Sequence, residues 1–310
     1  MSALQDAALW HEPPTPEQTR RHQLHAGLRL LARNRLALIG GGISLVFVLI
    51  GIAGIVIIGF DRFHDLYLDQ TLDSAVILRA PFTGENVLGT DALGRDLLAR
   101  TVAGIGVSIM LALAITALTL ILGMVLGTVA AFYGGWIDVV ISAVIDVTWG
   151  FPIILLAVAL SGVFDRGIEV VILSVPLILW AGFARIVRGE GLSLRERDFV
   201  KAARAMGVPD WKIILRHFVP NLIAPTIVMG TYYIPVVIVF EGALSFLGLG
   251  TQPPTPSLGL MAAEGRQHLL NGDHWVVTVP GVSLVLMVVG FNTLGDGLRD
   301  ILDPRLRGVR

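Results

Sequence analysis

The chain has 310 residues, of which 54% are apolar and 15% are charged, whereas a typical soluble domain has about a quarter charged residues. The 23 basic residues nearly balance the 24 acidic ones, and cysteine is absent from the sequence. This composition excludes a disordered chain, an ordinary soluble enzyme, a basic protein that binds nucleic acid, and any disulfide or thiolate chemistry.

Long stretches without Asp, Glu, Lys or Arg predict membrane-spanning helices, because a helix needs about 20 apolar residues to cross the hydrocarbon core of a bilayer. The predicted spans lie near residues 37–60, 101–132, 138–163, 168–187, 221–241 and 275–294. A further uncharged stretch, 242–263, contains three prolines, and we expect an external loop there because proline interrupts a helix. The sequence therefore predicts an all-α polytopic membrane protein with six transmembrane helices.

The distribution of basic residues predicts the orientation of these helices. With both termini in the cytoplasm (N-in/C-in), 17 of the 23 basic residues fall on the cytoplasmic side, and eight of them lie between Arg185 and Arg216. The chain then divides into a cytoplasmic tail 1–35, a first transmembrane helix 36–60, an external segment 61–100, a five-helix core 101–295 with a cytoplasmic loop 188–220 and an external loop 242–274, and a cytoplasmic tail 296–310.

Small residues recur at every fourth position of the second span, at Thr119, Gly123, Gly127 and Ala131. Small side chains let two helix backbones approach closely, and such packing drives helix association in lipid. We therefore expect this stripe to be a packing face rather than a chemical site.

The third span carries polar side chains on one face, among them Asp138, Asp146 and Trp149. A carboxylate at the centre of a membrane helix costs about 2.5–3.5 kcal/mol, so we expect Asp146 to face protein or water. Two interpretations stand: a polar patch near a gate, and an ion pair with an arginine of a neighbouring loop. Pro152 is expected to kink this span. The candidate gate or pathway residues are Asp146, Trp149, Pro152 and Glu241.

The cytoplasmic loop between the fourth and fifth spans predicts a short amphipathic helix. Ser193 and Glu196 have the spacing of a capping box, which predicts a helix start at Ser193. Phe199, Ala203 and Met206 then recur at helical spacing and form an apolar face. Such a face is typical of a docking element for a cytoplasmic partner. The alternative is a solvated loop that only follows the positive-inside rule.

Glycine and proline mark the end of this helix. Gly207 followed by Pro209 predicts the end, because glycine adopts the left-handed conformation common after a helix and proline cannot continue one. We expect Asp210 to cap a second helix that starts at Trp211 and leads through Pro220 into the fifth span.

The same loop resembles the EAA loop of ABC importer permeases. The spacing of that motif is kept by Lys201-Ala202-Ala203, Gly207 and His217-Phe218-Val219-Pro220. The chain departs from the family pattern at three positions, since Lys201, His217 and Val219 stand where the family has Glu, Ile and Leu.

Other segments resemble the C-type permease subunits of dipeptide, oligopeptide and nickel importers. These segments are Leu88–Asp96, Glu241–Ser257, Asn292–Asp300 and Leu302–Arg305. A further departure is Gly106, where the family commonly has arginine.

The resemblance implies the type I ABC importer permease fold and a role as half of a translocation pathway in the bacterial cytoplasmic (inner) membrane. It implies four partners, namely a second homologous permease, two cytoplasmic P-loop ATPases that bind ATP and Mg²⁺, and an extracytoplasmic solute-binding protein. The residues that it assigns to ATPase coupling are Ser193, Glu196, Phe199, Lys201, Ala202, Ala203, Met206, Gly207 and Pro220. The implied solute is a peptide, with nickel or another small solute as the alternative.

The chain itself is expected to be no enzyme and to bind no cofactor. It lacks the GxxxxGK[ST] motif of a P-loop, since its only lysines are Lys201 and Lys212. An intramembrane hydrolase would need a nucleophile with a nearby base, and the membrane serine Ser283 has no histidine in a facing predicted span.

Two further alternatives remain at this point. An ion-coupled secondary transporter usually carries ionisable groups at mid-depth, and the first, second and sixth predicted spans have none. The external residues Glu264, His268, Asp273 and His274 could form a metal site, although ordinary loop polarity also explains them.

Overall fold

The computed structural model describes residues 34–58, 76–163 and 167–302, and these segments consist of helices joined by turns. The α-helices are α1 (Arg35–Ala53), α2 (Leu97–Tyr133), α3 (Gly135–Gly150), α4 (Ile153–Val163), α5 (Ile168–Arg195), α6 (Asp198–Ala205), α7 (Asp210–Ile213), α8 (Val219–Phe246), α9 (Leu258–Gly265) and α10 (Trp275–Leu302). π-Helical turns follow α1 (Gly54–Ile58) and join α7 to α8 (Ile214–Phe218), and a 3-10 helix (Arg266–Asn271) follows α9. Parts of the predicted tails 1–35 and 296–310, of the external segment 61–100 and of the motif Leu302–Arg305 lie outside the described residues.

Several helices are long and apolar enough to cross a membrane. In the described part of the chain there are five, Arg35–Ile57, Leu97–Tyr133, Val171–Arg195, Pro225–Phe246 and Trp275–Arg299. A sixth crossing exists if α3 and α4 form one span, and these two helices are bent by 98° from each other. The predicted all-α membrane fold is confirmed, whereas the count of six depends on this bent pair and the N-in/C-in orientation stays a prediction.

The third predicted span, 138–163, is not a single helix, because the chain breaks at Phe151 and Pro152. Proline has no N–H and disfavours the helical conformation of the residue before it. Phe151 accordingly has an extended backbone, with φ −93° and ψ 139°. The expected kink at Pro152 is therefore a full break. By contrast, α8 continues through Pro225 and Pro235.

Other boundaries also differ from the prediction, and α8, for example, continues to Phe246 although the fifth span was predicted to end near residue 241. α2 begins at Leu97, earlier than residue 101, since the Asp96 carboxylate accepts a hydrogen bond from the Ala99 N–H at 3.0 Å and caps the helix. α10 continues to Leu302, so residues 296–302 are helical rather than part of a tail. Gly297 lies inside this extension, and a Cβ added there would be 2.3 Å from the Cβ of Ala37, so the glycine lets α10 pack against α1.

The small-residue stripe of α2 packs against α5, as the sequence predicts. A Cβ added at Gly123 would lie 2.6 Å from Cδ1 of Phe183, and one added at Gly127 would lie 2.6 Å from the carbonyl oxygen of Ala184. The two backbones therefore come closer than any larger residue would allow. This contact fixes α5, which leads into the cytoplasmic loop.

A close approach of α1 to α2 explains why glycine stands at position 106, where the family commonly has arginine. A Cβ added at Gly106 would lie 2.8 Å from the carbonyl oxygen of Gly51 on α1. Arginine, common in the family at this position, could not be accommodated here without separating α1 from α2.

Candidate functional site: the cytoplasmic loop and the polar groups of the membrane helices

The loop predicted to be cytoplasmic, 188–220, begins later than the sequence predicts. α5 runs through Ser193 to Arg195, and Glu196 follows its last turn. The Ser193 hydroxyl donates a hydrogen bond to the Glu190 carbonyl at 2.8 Å, so it serves the interior of α5 and caps nothing. The predicted helix start at Ser193 was therefore wrong. The short helix α6 starts at Asp198 instead.

The end of α6 is the one predicted. Gly207 has φ +72°, in the left-handed region that favours glycine. Its N–H donates to the Arg204 carbonyl at 2.9 Å, and the Val208 N–H donates to the Ala203 carbonyl at 3.1 Å. These two bonds form a Schellman motif, which satisfies the last carbonyls of the helix. The predicted stop at Gly207 is thus confirmed as local structure.

The predicted apolar face of α6 is split between two sides. Ala203 and Val200 are both buried and belong to the hydrophobic core of the protein. Phe199 and Met206, in contrast, are 40% and 75% exposed. The expectation of one face was wrong, because the inward positions are Val200 and Ala203, three residues apart.

The exposed apolar side of the loop continues beyond α6. Trp211 on α7 and Leu215 on the following π-helical turn are both 63% exposed. We call Phe199, Met206, Trp211 and Leu215 the cytoplasmic apolar patch. The sequence contains a signal for its second half, since Trp211 and Leu215 are four residues apart and flank the buried Ile213.

The remaining coupling candidates lie at the surface around this patch. Lys201 and Ala202 are exposed, and the Lys201 ammonium lies 3.1 Å from the Glu196 carboxylate. An exposed pair of this kind contributes about 0–1 kcal/mol. Pro220 is exposed in the first turn of α8, directly after the π-helical turn Ile214–Phe218.

Two arginines fix the loop to the C-terminal end of α2. The Arg204 guanidinium donates to the Phe132 carbonyl at 3.1 Å and lies 4.4 Å from the centre of the Phe132 ring. Arg195 donates to the Ala131 carbonyl at 3.3 Å. Cations are stabilised at the C-terminus of a helix because the last carbonyls carry partial negative charge. The two arginines therefore attach the loop to the end of α2.

An aromatic contact connects the same helix end to α8. The rings of Phe132 and Phe218 meet edge to face with their centres 5.4 Å apart, and Phe218 belongs to the π-helical turn that joins α7 to α8. Both rings are completely buried. α2, α6 and α8 thus share one contact region at the base of the loop.

The acidic residues of α3 form ion pairs with arginines of α5. The Asp138 carboxylate accepts from Arg188 at 2.7 Å, and the Asp146 carboxylate accepts from Arg185. Trp149 lies on the same side, with its ring centre 5.4 Å from the Arg185 guanidinium. The ion-pair interpretation of Asp146 is the one that the structure supports, with the arginine in a neighbouring helix rather than a loop.

Glu241 differs from the other pathway candidates because it is completely buried within the described residues. Its carboxylate accepts hydrogen bonds from the hydroxyls of Ser245, Thr251 and Ser108 at 2.8, 3.2 and 3.3 Å. These bonds join α8, α2 and the following loop. Asp146, Trp149 and Pro152 are exposed, whereas Glu241 reaches no surface of the described protomer and connects the C-terminal end of α8 to its neighbours.

An ion cluster on the predicted external side was missed by the sequence reasoning. Asp91 binds Arg95 and Arg100, and the Glu264 carboxylate accepts from Arg95 at 3.2 Å and from Arg100 at 2.8 Å. Glu264, considered above as a metal ligand, is thus a partner of arginines. In the described residues, no group of three or more His, Cys, Asp or Glu is placed to hold a metal ion.

Comparison with known protein families identifies the family of this chain. Residues 123–308 match the family described as the binding-protein-dependent transport system inner membrane component. The chain belongs to this family. It is a transport permease subunit and a multi-pass membrane protein, and it has the all-α type I permease fold.

Individual relatives are similar over most of the chain. The dipeptide transport system permease protein DppC of Alkalihalophilus pseudofirmus is 36% identical over 95% of this chain and 94% of the relative. The glutathione transport system permease protein GsiD of Pectobacterium atrosepticum is 39% identical over 71% and 73%. The oligopeptide transport system permease protein OppC of Haemophilus influenzae is 38% identical over 72% of each chain. The resemblance to the dipeptide and oligopeptide permeases is confirmed.

Proposed function

We propose that the chain forms half of the translocation pathway of an ATP-binding-cassette importer that carries di- or oligopeptides across the bacterial cytoplasmic membrane. Its partners in this proposal are a second homologous permease, two cytoplasmic ATPases that bind ATP and Mg²⁺, and an extracytoplasmic solute-binding protein. The permease family and the dipeptide, glutathione and oligopeptide systems of its relatives support this assignment.

The observation that carries the proposal is the cytoplasmic apolar patch on a loop that is hydrogen-bonded to the end of α2. Met206 and its neighbours expose apolar side chains, and burying them against an ATPase would be favourable because apolar area leaves water. Arg204 ties α6 to the end of α2. Movement of the ATPase would therefore act on a membrane helix rather than on a compliant loop.

The test is ATP-driven uptake of a labelled peptide by proteoliposomes that contain the complete complex and its binding protein. We expect Met206→Asp to lower both uptake and peptide-stimulated ATP hydrolysis about tenfold, because a charge placed in an apolar contact must be desolvated. Met206→Leu is the matched control, and it should retain both activities since it keeps the apolar volume.

Other outcomes separate the alternatives. Uptake that follows an ion gradient without ATP would contradict the proposal and favour an ion-coupled secondary transporter. ATP-driven uptake of nickel or another small solute, with peptides excluded, would keep the machinery and overturn the peptide assignment. Full activity of Met206→Asp would remove the patch from the coupling mechanism.

A further inference from the structure

The Asp146–Arg185 pair has an unusual position for charged groups. Arg185 lies on α5 within a segment apolar enough to cross a membrane, and Asp146 lies on α3, which crosses one only if it forms a single span with α4. Their side chains are nevertheless 70% and 49% exposed. The neighbouring pair of the same two helices, Asp138 and Arg188, is only 18% and 30% exposed.

The depth of this pair decides what can cover it. At a rise of 1.5 Å per residue, Asp146 lies about 18 Å along α3 from Gly134, and Arg185 lies about 15 Å along α5 from Arg195. The span predicted from the sequence ends at residue 187, so Arg185 lies in the last turn of that span. Exposed charges within a membrane segment are unfavourable towards lipid and face water or protein instead.

The surroundings hold the two charges in place and leave them accessible. The indole of Trp149 is 5.4 Å from the Arg185 guanidinium, and it lies against Gly182, where a Cβ would come within 3.2 Å of the indole Cζ2 and 3.0 Å of the Tyr233 hydroxyl. Gly182 thus provides the space in which the indole lies. The result is one accessible cation, one accessible anion and an aromatic surface, contributed by adjacent helices.

This combination is complementary to a peptide with free ends. A guanidinium binds a carboxylate through two parallel hydrogen bonds, and a carboxylate accepts hydrogen bonds from an ammonium group. A peptide entering the site could exchange one internal ion pair for two external ones, so that every charge stays paired. Because an exposed pair is weak, the exchange is readily reversible, which suits a site that must release its ligand.

We propose that Asp146 and Arg185 form a transit site for peptides, in which Arg185 binds the C-terminal carboxylate and Asp146 binds the N-terminal ammonium. This inference rests on the proposed function as a peptide permease. It assigns to the permease a selectivity for free peptide ends that is separate from the selectivity of the binding protein.

The test combines variants of the protein with modified peptides. Uptake of trialanine is compared with that of its N-acetylated and C-amidated forms in the complete reconstituted complex, after correction for the affinity of the binding protein for each peptide. Arg185→Gln should slow the peptide with a free carboxylate about tenfold and leave the C-amidated peptide unchanged. Asp146→Asn should act in the same way on the free amine, with the N-acetylated peptide unchanged.

The matched control is Asp138→Asn, which removes a carboxylate from the same helix in the less exposed pair. In this variant, the uptake rates of the free, N-acetylated and C-amidated peptides should have the same ratios as in the unaltered complex. A uniform slowing of all three peptides by Arg185→Gln or Asp146→Asn would show a structural role and overturn the transit site, as would no effect of either variant.

A second measurement is independent of the binding protein. The chain has no native cysteine, so Val147→Cys, at a position that is 63% exposed beside Asp146, can be alkylated and followed in this chain by mass spectrometry. Free trialanine should slow the alkylation of this variant in the detergent-solubilised complex, whereas the doubly blocked peptide should not. Equal protection by both peptides would contradict the site.

The two proposals fail in distinguishable ways. If the unaltered complex shows no ATP-driven uptake of any peptide, the proposed function is wrong. If it imports peptides and the variants keep the same dependence on peptide ends, only the transit site is wrong.

Discussion

Replacing Gly207 by alanine isolates the contribution of one backbone conformation to coupling. Gly207 has φ +72°, and no atom of the described residues lies within 4 Å of a Cβ added there. The substitution therefore causes no clash, and its cost is the strain of a left-handed residue, about 1–2 kcal/mol. That energy corresponds to a factor of about 5–30 in the population of the correctly ended α6. Asparagine tolerates the left-handed region, so Gly207→Asn should lose less than Gly207→Ala.

Two assays on the complete complex follow this change. Hydrogen exchange of the Val208 amide, which donates to the Ala203 carbonyl, should accelerate by the same factor in Gly207→Ala, and peptide-stimulated ATP hydrolysis should fall while the basal rate is kept. Gly42→Ala is the matched control, since Gly42 lies within the helix α1 with no described atom within 4 Å of an added Cβ. Unchanged exchange in Gly207→Ala would refute the strain argument. Faster exchange with full stimulation would show that the end of α6 has no part in coupling.

Three further outcomes are expected. Gly123→Ala should lower the melting temperature of the purified complex, because its Cβ would lie 2.6 Å from the Phe183 ring and 3.0 Å from backbone atoms of α5; an unchanged melting temperature would contradict the close packing. Glu241→Ala should lower the melting temperature more than Glu241→Gln, since alanine leaves three hydroxyl donors without their acceptor, at about 1–3 kcal/mol for each unpaired buried group; equal effects would contradict the argument that an oxygen acceptor at this position stabilises the protein. Cysteine introduced at Leu270, which is 98% exposed, should react with an impermeant maleimide in intact cells, and cysteine at the exposed Gly189 only after permeabilisation; the reverse pattern would contradict the orientation.

The helical membrane fold was predictable because hydropathy acts locally. A span needs apolar residues over its own length, so gaps between charges locate it without knowledge of its neighbours. The break at Pro152 was harder to predict, because α8 continues as a helix through two other prolines, Pro225 and Pro235. Whether proline bends or ends a helix depends on whether neighbouring groups stabilise the interrupted backbone, and that is a property of the packed structure.

The site was predictable where a single residue has one backbone requirement, and less so where partners compete. Gly207 ends α6 because few residues other than glycine adopt its φ. Ser193 and Glu196 have capping-box spacing, yet α5 already includes Ser193, so its hydroxyl bonds to a carbonyl within the helix. The pairing of Glu264 with Arg100 joins residues far apart in the chain, and neither local spacing nor charge pattern indicates such a contact.

The ion pairs of α3 and α5 also bear on the orientation argument. The count of 17 basic residues on the cytoplasmic side includes Arg185 and Arg188, but these two lie within a membrane segment and are paired with Asp146 and Asp138. Without them, 15 remain on that side against six on the other, so the predicted orientation does not depend on the paired arginines. The positive-inside rule concerns charges that remain with the cytoplasmic loops. A buried or route-facing ion pair carries no net charge, and its position is set by the packing of its helices instead. The eight basic residues from Arg185 to Arg216 therefore act in two ways: those at the start form ion pairs with α3, and those further on support the predicted orientation and include Arg195 and Arg204, which attach the loop to α2.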